Sequence, residues 1–384
     1  MKEMSKVKII DYSNIKNIKN ERDLLSKLHH PFIVNMHFSF QNNHYLYLVI
    51  DLLTGGDLRY HLFHQRTFNE EQSKFFISCV LLGLEYCHSN LIIHRDIKPE
   101  NVILDSDGYA HITDFGIAKM QQPNNAKETS GTPGYMAPEV LFGKNHTTVV
   151  DYFACGVMCY EFMKGVKPYL GKNRAEIKDS IKEKEIKLDK RNLSEGWSME
   201  SADFINHLLQ RQASKRLGYK DGVNEIKKHP WLKDIDWKDL CNHSIKSPFI
   251  PNGDENYEYK FCTAPDKKGE DTEQRYKDIM RTPEYKTIFN DYYYFNRYDI
   301  KTQGLKMMFF NIHDKIYKIK QMPRNNSGDL PVKNKQQMQQ IQIKIPVKLN
   351  QKRAISPTGA RPSKAFLEAN SFINKRKINK IKYD

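Results

Sequence analysis

No stretch of this 384-residue chain approaches the roughly 18 consecutive apolar residues that a membrane-spanning helix needs. No apolar signal segment stands at the N-terminus either. Both absences point away from a helical membrane protein and toward a soluble one. Cysteine is sparse: Cys79, Cys87, Cys155, Cys159, Cys241 and Cys262 are scattered without zinc-ligand pairing. Cys155 and Cys159 share a helix face, a packing pattern, and free thiols imply a reducing compartment such as the cytoplasm. No internal repeat is present, which excludes a solenoid. Acidic residues nearly vanish toward the C-terminus. Residues 321–384 hold 14 Lys+Arg against 3 Asp+Glu, so +11 of the chain's +15 lies there. The positive balance is therefore no argument that a folded domain binds nucleic acid.

What is present is more specific. His94-Arg95-Asp96-Ile97-Lys98-Pro99-Glu100-Asn101 puts a carboxylate, a lysine and an amide on one short segment. Asp114-Phe115-Gly116 adds a second carboxylate 18 positions after Asp96. Phosphoryl transfer passes through a loose transition state, so its catalysis is mostly positioning and charge neutralisation. Asp96 suits the role of a base that orients a substrate hydroxyl, and Lys98 that of a cation for the transferring phosphate. Asn101 and Asp114 offer hard oxygen donors for Mg²⁺ shared with ATP. Taken singly, each motif is as ordinary as a turn or a surface tripeptide; the order and spacing carry the signal. Ala137-Pro138-Glu139 follows, and Arg216 is placed to pair with a buried Glu139. Asp151 opens a helical run and is either a support for the segment around Asp96 or a plain helix N-cap.

Residues 2 to about 240 resemble a eukaryotic protein kinase domain of the AGC group, similar to cAMP-dependent protein kinase and the YANK branch. The resemblance rests on the motifs above and on three further runs. These are Asp51-Leu52-Leu53-Thr54-Gly55-Gly56-Asp57-Leu58-Arg59-Tyr60-His61-Leu62, Gly131-Thr132-Pro133-Gly134-Tyr135-Met136-Ala137-Pro138-Glu139 and His229-Pro230-Trp231-Leu232. It implies an α+β, two-lobed kinase fold using ATP and Mg²⁺, with an incomplete N-terminal β-sheet lobe over 1–50. The hinge and a mainly helical C-terminal lobe would cover 51–240. Helix C is expected over 14–30, strands over 34–40 and 45–50, and a long helix over 69–90 beginning after Asn69. Further helices are expected over 150–165, 174–184 and 198–211. Leu25, Met36, His94 and Phe115 match the stacked spine that links the two lobes.

The resemblance assigns Lys2 to the strand lysine that grips ATP phosphates and Glu21, 19 residues on, to its helix-C partner. The alternative is a basic N-terminus of no special role. No glycine-rich phosphate loop precedes Lys2, so either the start is misassigned or the chain is a truncated form and a pseudokinase. Ile50 would back the adenine, the backbone of Asp51 and Leu53 would bond it, and Ile103 and Leu58 would lie beneath it; a core role suits these apolar residues equally. Asp57 would touch the ribose.

Serine/threonine specificity follows, within the resemblance, from Lys98 and from Thr132, which would bond Asp96 and Lys98. Asp57, Glu100 and Glu161 fall on positions that recognise arginine in basophilic relatives, which implies protein substrates with basic residues before Ser/Thr. The plainer reading is three solvated acids. Aligning Gly131 places Glu128 where many AGC kinases carry a phosphothreonine. Arg95 and Lys119 would form its pocket, and Thr129 remains a phosphosite candidate.

Residues 241–300 read as an AGC-like C-terminal tail. Pro248-Phe249-Ile250-Pro251 would open it, and Phe289-Asn290-Asp291-Tyr292-Tyr293-Tyr294-Phe295 is a loose hydrophobic motif that either docks on the small lobe or binds another protein. Residues 301–384 form a basic tail too poor in apolar residues to fold alone. It offers Ser356 as a phosphosite, a transient strand at 341–345, and Lys375-Arg376-Lys377 as a nuclear import signal, a patch for an acidic partner, or a solvated end of no role. Two function classes stand at this point: a serine/threonine kinase, and an interaction protein of kinase fold.

Overall fold

The computed structural model describes residues 1–252, Asn256, 270–282, Tyr285 and 287–295. The basic tail 301–384, with Ser356, the strand expected at 341–345 and the cluster at 375–377, lies outside the described residues.

The chain enters through strand β1 (Lys2–Ser5), helix α1 (Lys6–Asp11) and helix α2 (Ile15–Leu25). In α2, Ile18, Glu21, Leu24 and Leu25 recur at helical spacing and are the buried face. The expected helix over 14–30 stops at Leu25 with Ser26 as its C-cap, and Pro31 further on disfavours helix at His30. Strands β2 (Met36–Gln41) and β3 (Tyr45–Ile50) form an antiparallel pair. Their connection is closed by Asn42, whose Oδ1 accepts from the backbone N–H groups of His44 at 2.9 Å and Tyr45 at 2.8 Å. In β3 the buried Leu46 and Leu48 alternate with half-exposed Tyr45 and Tyr47, the period of a one-sided strand. The strand expected from residue 34 begins at Met36, because the Val34 N–H donates instead to Ile112 O at 2.9 Å.

The second lobe is helical. Helix α3 (Leu58–Gln65) leads to α4 (Glu70–Ser89), whose N-terminus is a capping box between Asn69 and Gln72. Short strands β4 (Ile92–Ile93), β5 (Val102–Leu104), β6 (Ala110–Ile112) and β7 (Lys119–Met120) pair as β4 with β7 and β5 with β6. They frame the loop from His94 to Asn101 and the segment starting at Asp114. Beyond lie α5 (Pro138–Leu141), α6 (Val149–Lys164), α7 (Arg174–Glu183), α8 (Met199–Leu208), α9 (Gly222–Lys227) and α10 (Trp237–Cys241). Helix α6 is buried along nearly its whole length, with Cys155 and Cys159 in the core, and ends on Gly165 at φ 70°. Among the described residues no helix is long and apolar enough to cross a membrane.

The chain then returns to the small lobe with α11 (Glu270–Arg281) and strand β8 (Tyr294–Phe295). The sheet order is β1-β3-β2-β8, so the tail supplies a fourth strand that the sequence alone does not suggest. Phe289 and Tyr292 are buried, and Phe295 meets Phe38 edge-on at 5.0 Å. Lys19 pairs with Asp291 at 2.9 Å, and Arg22 donates to Asp291 O at 2.8 Å and lies over the Tyr292 ring. In the docked arrangement the aromatic motif buries against α2 and β2 rather than standing free for another protein.

Candidate active site

The loop holding Asp96 is shaped from below by Asp151 in the first turn of α6. Its buried carboxylate accepts from His94 N at 3.0 Å, Arg95 N at 2.8 Å and His88 Nε2 at 2.8 Å. These bonds hold Arg95 in the left-handed region at φ 68°, a conformation a non-glycine residue keeps only when its surroundings impose it. The N-cap of α6 is Thr148, so the N-cap reading of Asp151 is replaced by loop support.

Asp96 is the centre of the network. Oδ1 accepts from Thr132 N at 3.0 Å and Thr132 Oγ1 at 2.7 Å. Oδ2 accepts from Lys98 Nζ at 2.7 Å and Asn101 Nδ2 at 2.9 Å. Lys98 also donates to Thr132 Oγ1 at 2.8 Å. Burial pushes the Asp96 carboxyl up, but the bonds from Lys98 and Thr132 outweigh it and hold the group below the usual carboxylate range. Asp96 is therefore ionised throughout the neutral range.

Asn101 spends its NH₂ on Asp96, donating also to Asp96 O at 2.9 Å, which turns its amide oxygen the other way. Asp114 sits at φ 63° with its carboxylate exposed and one oxygen accepting from Gly116 N at 3.2 Å. The two oxygens fit a hard divalent cation by donor chemistry. Lys2 Nζ donates to both oxygens of Glu21, at 2.9 and 3.0 Å, across β1 and α2. Burial raises the Glu21 carboxyl, Lys2 pulls it back, and Asp114 adds to the rise. Lys2, Glu21, Asp114 and Gly116 border one cleft of ≈ 640 Å³.

Ile50 ends β3, half-buried, and Leu53 is half-buried in the link between lobes. Asp51 uses its carboxylate locally, accepting from Asn35 N at 2.8 Å and from His37 Nε2 at 2.8 Å, and its N–H donates to Asn35 O at 3.0 Å, which leaves its carbonyl for a ligand. Ile103 remains partly accessible, whereas Leu58 is fully buried and belongs to the core. Asp57 is the N-cap of α3, accepting from Tyr60 N at 2.8 Å.

The three acids expected to meet a substrate's arginine each already have a partner within the chain. Besides the capping Asp57, Glu100 and Glu161 both bond Arg59, a residue the sequence reading passed over. Its position within Gly55-Gly56-Asp57-Leu58-Arg59 was the available signal. Glu128 meets Arg95 Nη1 at 3.2 Å and also pairs with Lys119. The bond from Lys119 holds the Glu128 carboxyl below its ordinary range, burial opposes weakly, and Arg95 adds to the lowering. Thr129 is half-buried and its carbonyl accepts from Arg174 Nη1 at 2.9 Å. Glu139 and Arg216 form a buried fork at 2.7 and 3.0 Å. Of the spine residues, all four are buried, and His94 meets the Phe115 ring edge-on at 4.9 Å. Asn20 ties α2 to the segment after Asp114 by donating to Ala118 O at 2.7 Å.

A family model described as a protein kinase domain matches residues 1–232. A probable serine/threonine-protein kinase of Dictyostelium discoideum is 41% identical over 254 residues, covering 66% of this chain and 54% of the relative. Serine/threonine-protein kinase AtPK2/AtPK19 of Arabidopsis thaliana is 39% identical over 253 residues, 65% of this chain and 52% of the relative. Human serine/threonine-protein kinase Sgk1 is 40% identical over 255 residues, 66% of this chain and 58% of the relative. The chain thus spans about half the length of the curated relatives it matches.

Proposed function

This chain belongs to the protein kinase domain family, and on that premise we propose that its site transfers the γ-phosphoryl group of Mg-ATP to serine or threonine hydroxyls of protein substrates. The observation that carries the reading is the closed set of bonds joining Asp96, Lys98, Thr132 and Asn101. A carboxylate offers about four acceptor positions, and here all four are filled by protein donors. A substrate hydroxyl reaches Asp96 only if one donor leaves. Lys98 is the one with reason to move, since its ammonium is equally suited to a phosphate oxygen. Thr132 and Asn101 then keep the carboxylate oriented while it accepts the hydroxyl proton. Asn101 Oδ1 and the Asp114 carboxylate would hold Mg²⁺, and Lys2, oriented by Glu21, would hold the ATP phosphates. Bound Mg-ATP supplies the phosphoryl donor and neutralises its charge. Glu100, whose second oxygen is outside the Arg59 bonds, is the acid still open to a basic residue before the target.

The test is transfer of labelled γ-phosphate by the full chain to serine, threonine and tyrosine peptides. Label on serine or threonine, absent with Asp114→Asn, is expected. Binding of Mg-ATP without any transfer would leave the interaction-protein reading in place.

We further propose that Glu128 is a built-in acidic tie for the segment after Asp114, in place of a phosphate. It carries about one charge against nearly two for a phosphate, so it orders the segment without modification but less firmly. Glu128→Ala is expected to lower kcat roughly three- to tenfold, the rate equivalent of about 1 kcal/mol for a part-exposed pair of charged bonds. Initial rates unchanged within error would remove the role.

A further inference from the structure

Beside the catalytic loop lies a cluster that the proposed transfer step does not use. Arg59 of α3 donates from Nε to Glu100 Oε1 at 2.9 Å. From Nη1 and Nη2 it donates to Oε1 and Oε2 of Glu161, both at 3.0 Å. Its Nη2 also bonds the Tyr135 hydroxyl, which in turn donates to Glu161 Oε2. The cluster is joined by short runs of chain to the Asp96 network that a substrate hydroxyl would approach: Glu100 follows Lys98 by two residues and Tyr135 follows Thr132 by three. The Glu161 side chain is only 4% exposed, that of Glu100 42%.

A buried carboxylate met by both ends of a guanidinium is the arrangement by which a protein selects arginine over lysine. Here the guanidinium is internal. An incoming arginine would have to displace Arg59 and leave it desolvated without its counter-ions, a costly exchange. We propose that Arg59 is a specificity-determining residue. It occupies the acidic subsite from within and makes the protein indifferent to arginine in the residues just before the phosphorylated serine or threonine. What remains for the substrate is the oxygen of the part-exposed Glu100 that Arg59 does not bond, a single acceptor that treats lysine and arginine alike. This inference rests on the transfer reading above, since it names the substrate class of the same site.

The test is an arrayed peptide set with alanine, lysine or arginine at each of the five positions before one serine. The set is measured with wild type, Arg59→Met and Arg59→Lys by fluorescence anisotropy and by phosphoryl transfer. Wild type is expected to show a flat profile, arginine and alanine peptides agreeing within about threefold. Arg59→Met empties the fork, and at one or two positions arginine should gain about tenfold over alanine and several-fold over lysine. If Arg59→Met does not fold, Arg59→Lys, which keeps a cation but not the fork, should shift the same way by less. A tenfold arginine preference already present in wild type overturns the proposal, as does a flat profile in a folded variant. Failure of the transfer reading looks different. No peptide would then be phosphorylated by any form, while the anisotropy profile would still change on removing Arg59.

Discussion

Asp96→Asn is expected to lower kcat by on the order of 10²- to 10⁴-fold, the range that a positioned general base contributes. The amide has the size of the carboxylate, so the loop held by Asp151 keeps its course. What is lost is chemical. An amide offers one acceptor oxygen where four donors from Thr132, Lys98 and Asn101 now converge on two, and it cannot take a proton from a hydroxyl. Affinity for Mg-ATP should change little, because Lys2, Glu21 and Asp114 line a cleft that Asp96 does not border. Steady-state rates alongside equilibrium binding of an ATP analogue separate the two quantities. A kcat within tenfold of wild type would take Asp96 out of the role of base. The pH profile adds a check with a definite sign. The Asp96 carboxyl lies below its ordinary value, so it is the active, ionised form above that value and is lost only as the pH falls through it. Between about pH 6 and 8 no inflection in kcat/KM should trace to Asp96, since even an unperturbed aspartate titrates near 3.9.

Glu139→Ala should produce the largest loss of stability, about 3–5 kcal/mol. The Arg216 side chain is 0% exposed and its two terminal nitrogens are both spent on Glu139. Removing the acid leaves a full charge in the core with only Val149 O at 3.1 Å, Gln210 O at 3.1 Å and the face of Phe153 for company. For a folded unit of this size that corresponds to a fall in Tm of roughly 6–20 °C. Replacing both partners by methionine should recover much of it, because the pair's contribution over an apolar filling is small while the cost of orphaning one charge is large. Thermal denaturation of the two variants decides the matter, and a shift below about 2 °C for the single substitution would mean that Arg216 finds another counter-ion. Catalysis near 20 °C should fall only as the folded fraction falls, since Glu139 touches no group around Asp96.

Much of this was legible from residues close together in the chain. His94 to Asn101 form one short loop, so the bonds from Lys98 and Asn101 to Asp96 are local, whereas those from Thr132 span 36 residues. The alternation in β3 and the Asn69–Gln72 box at the head of α4 are likewise local, because side-chain period and terminal N–H groups are properties of a few consecutive residues. The Lys2–Glu21 pair, 19 residues apart, was reached only through resemblance, whereas Glu139 and Arg216, 77 residues apart, were paired from their own motifs before it.

By itself the sequence pointed to the two-lobed kinase architecture and to Asp96, Asn101, Asp114 and Glu128 as the candidates for base, cation donors and acid tie. Tertiary structure alone decided two things. Arg59 meets Glu100, Tyr135 and Glu161 across separations of 41, 76 and 102 residues. The tail meets α2 across 269 residues. A run of residues records its own period and its own caps. Which of several distant charges reaches a carboxylate first depends on how α3 packs against α6 and the catalytic loop, and no local pattern encodes that competition.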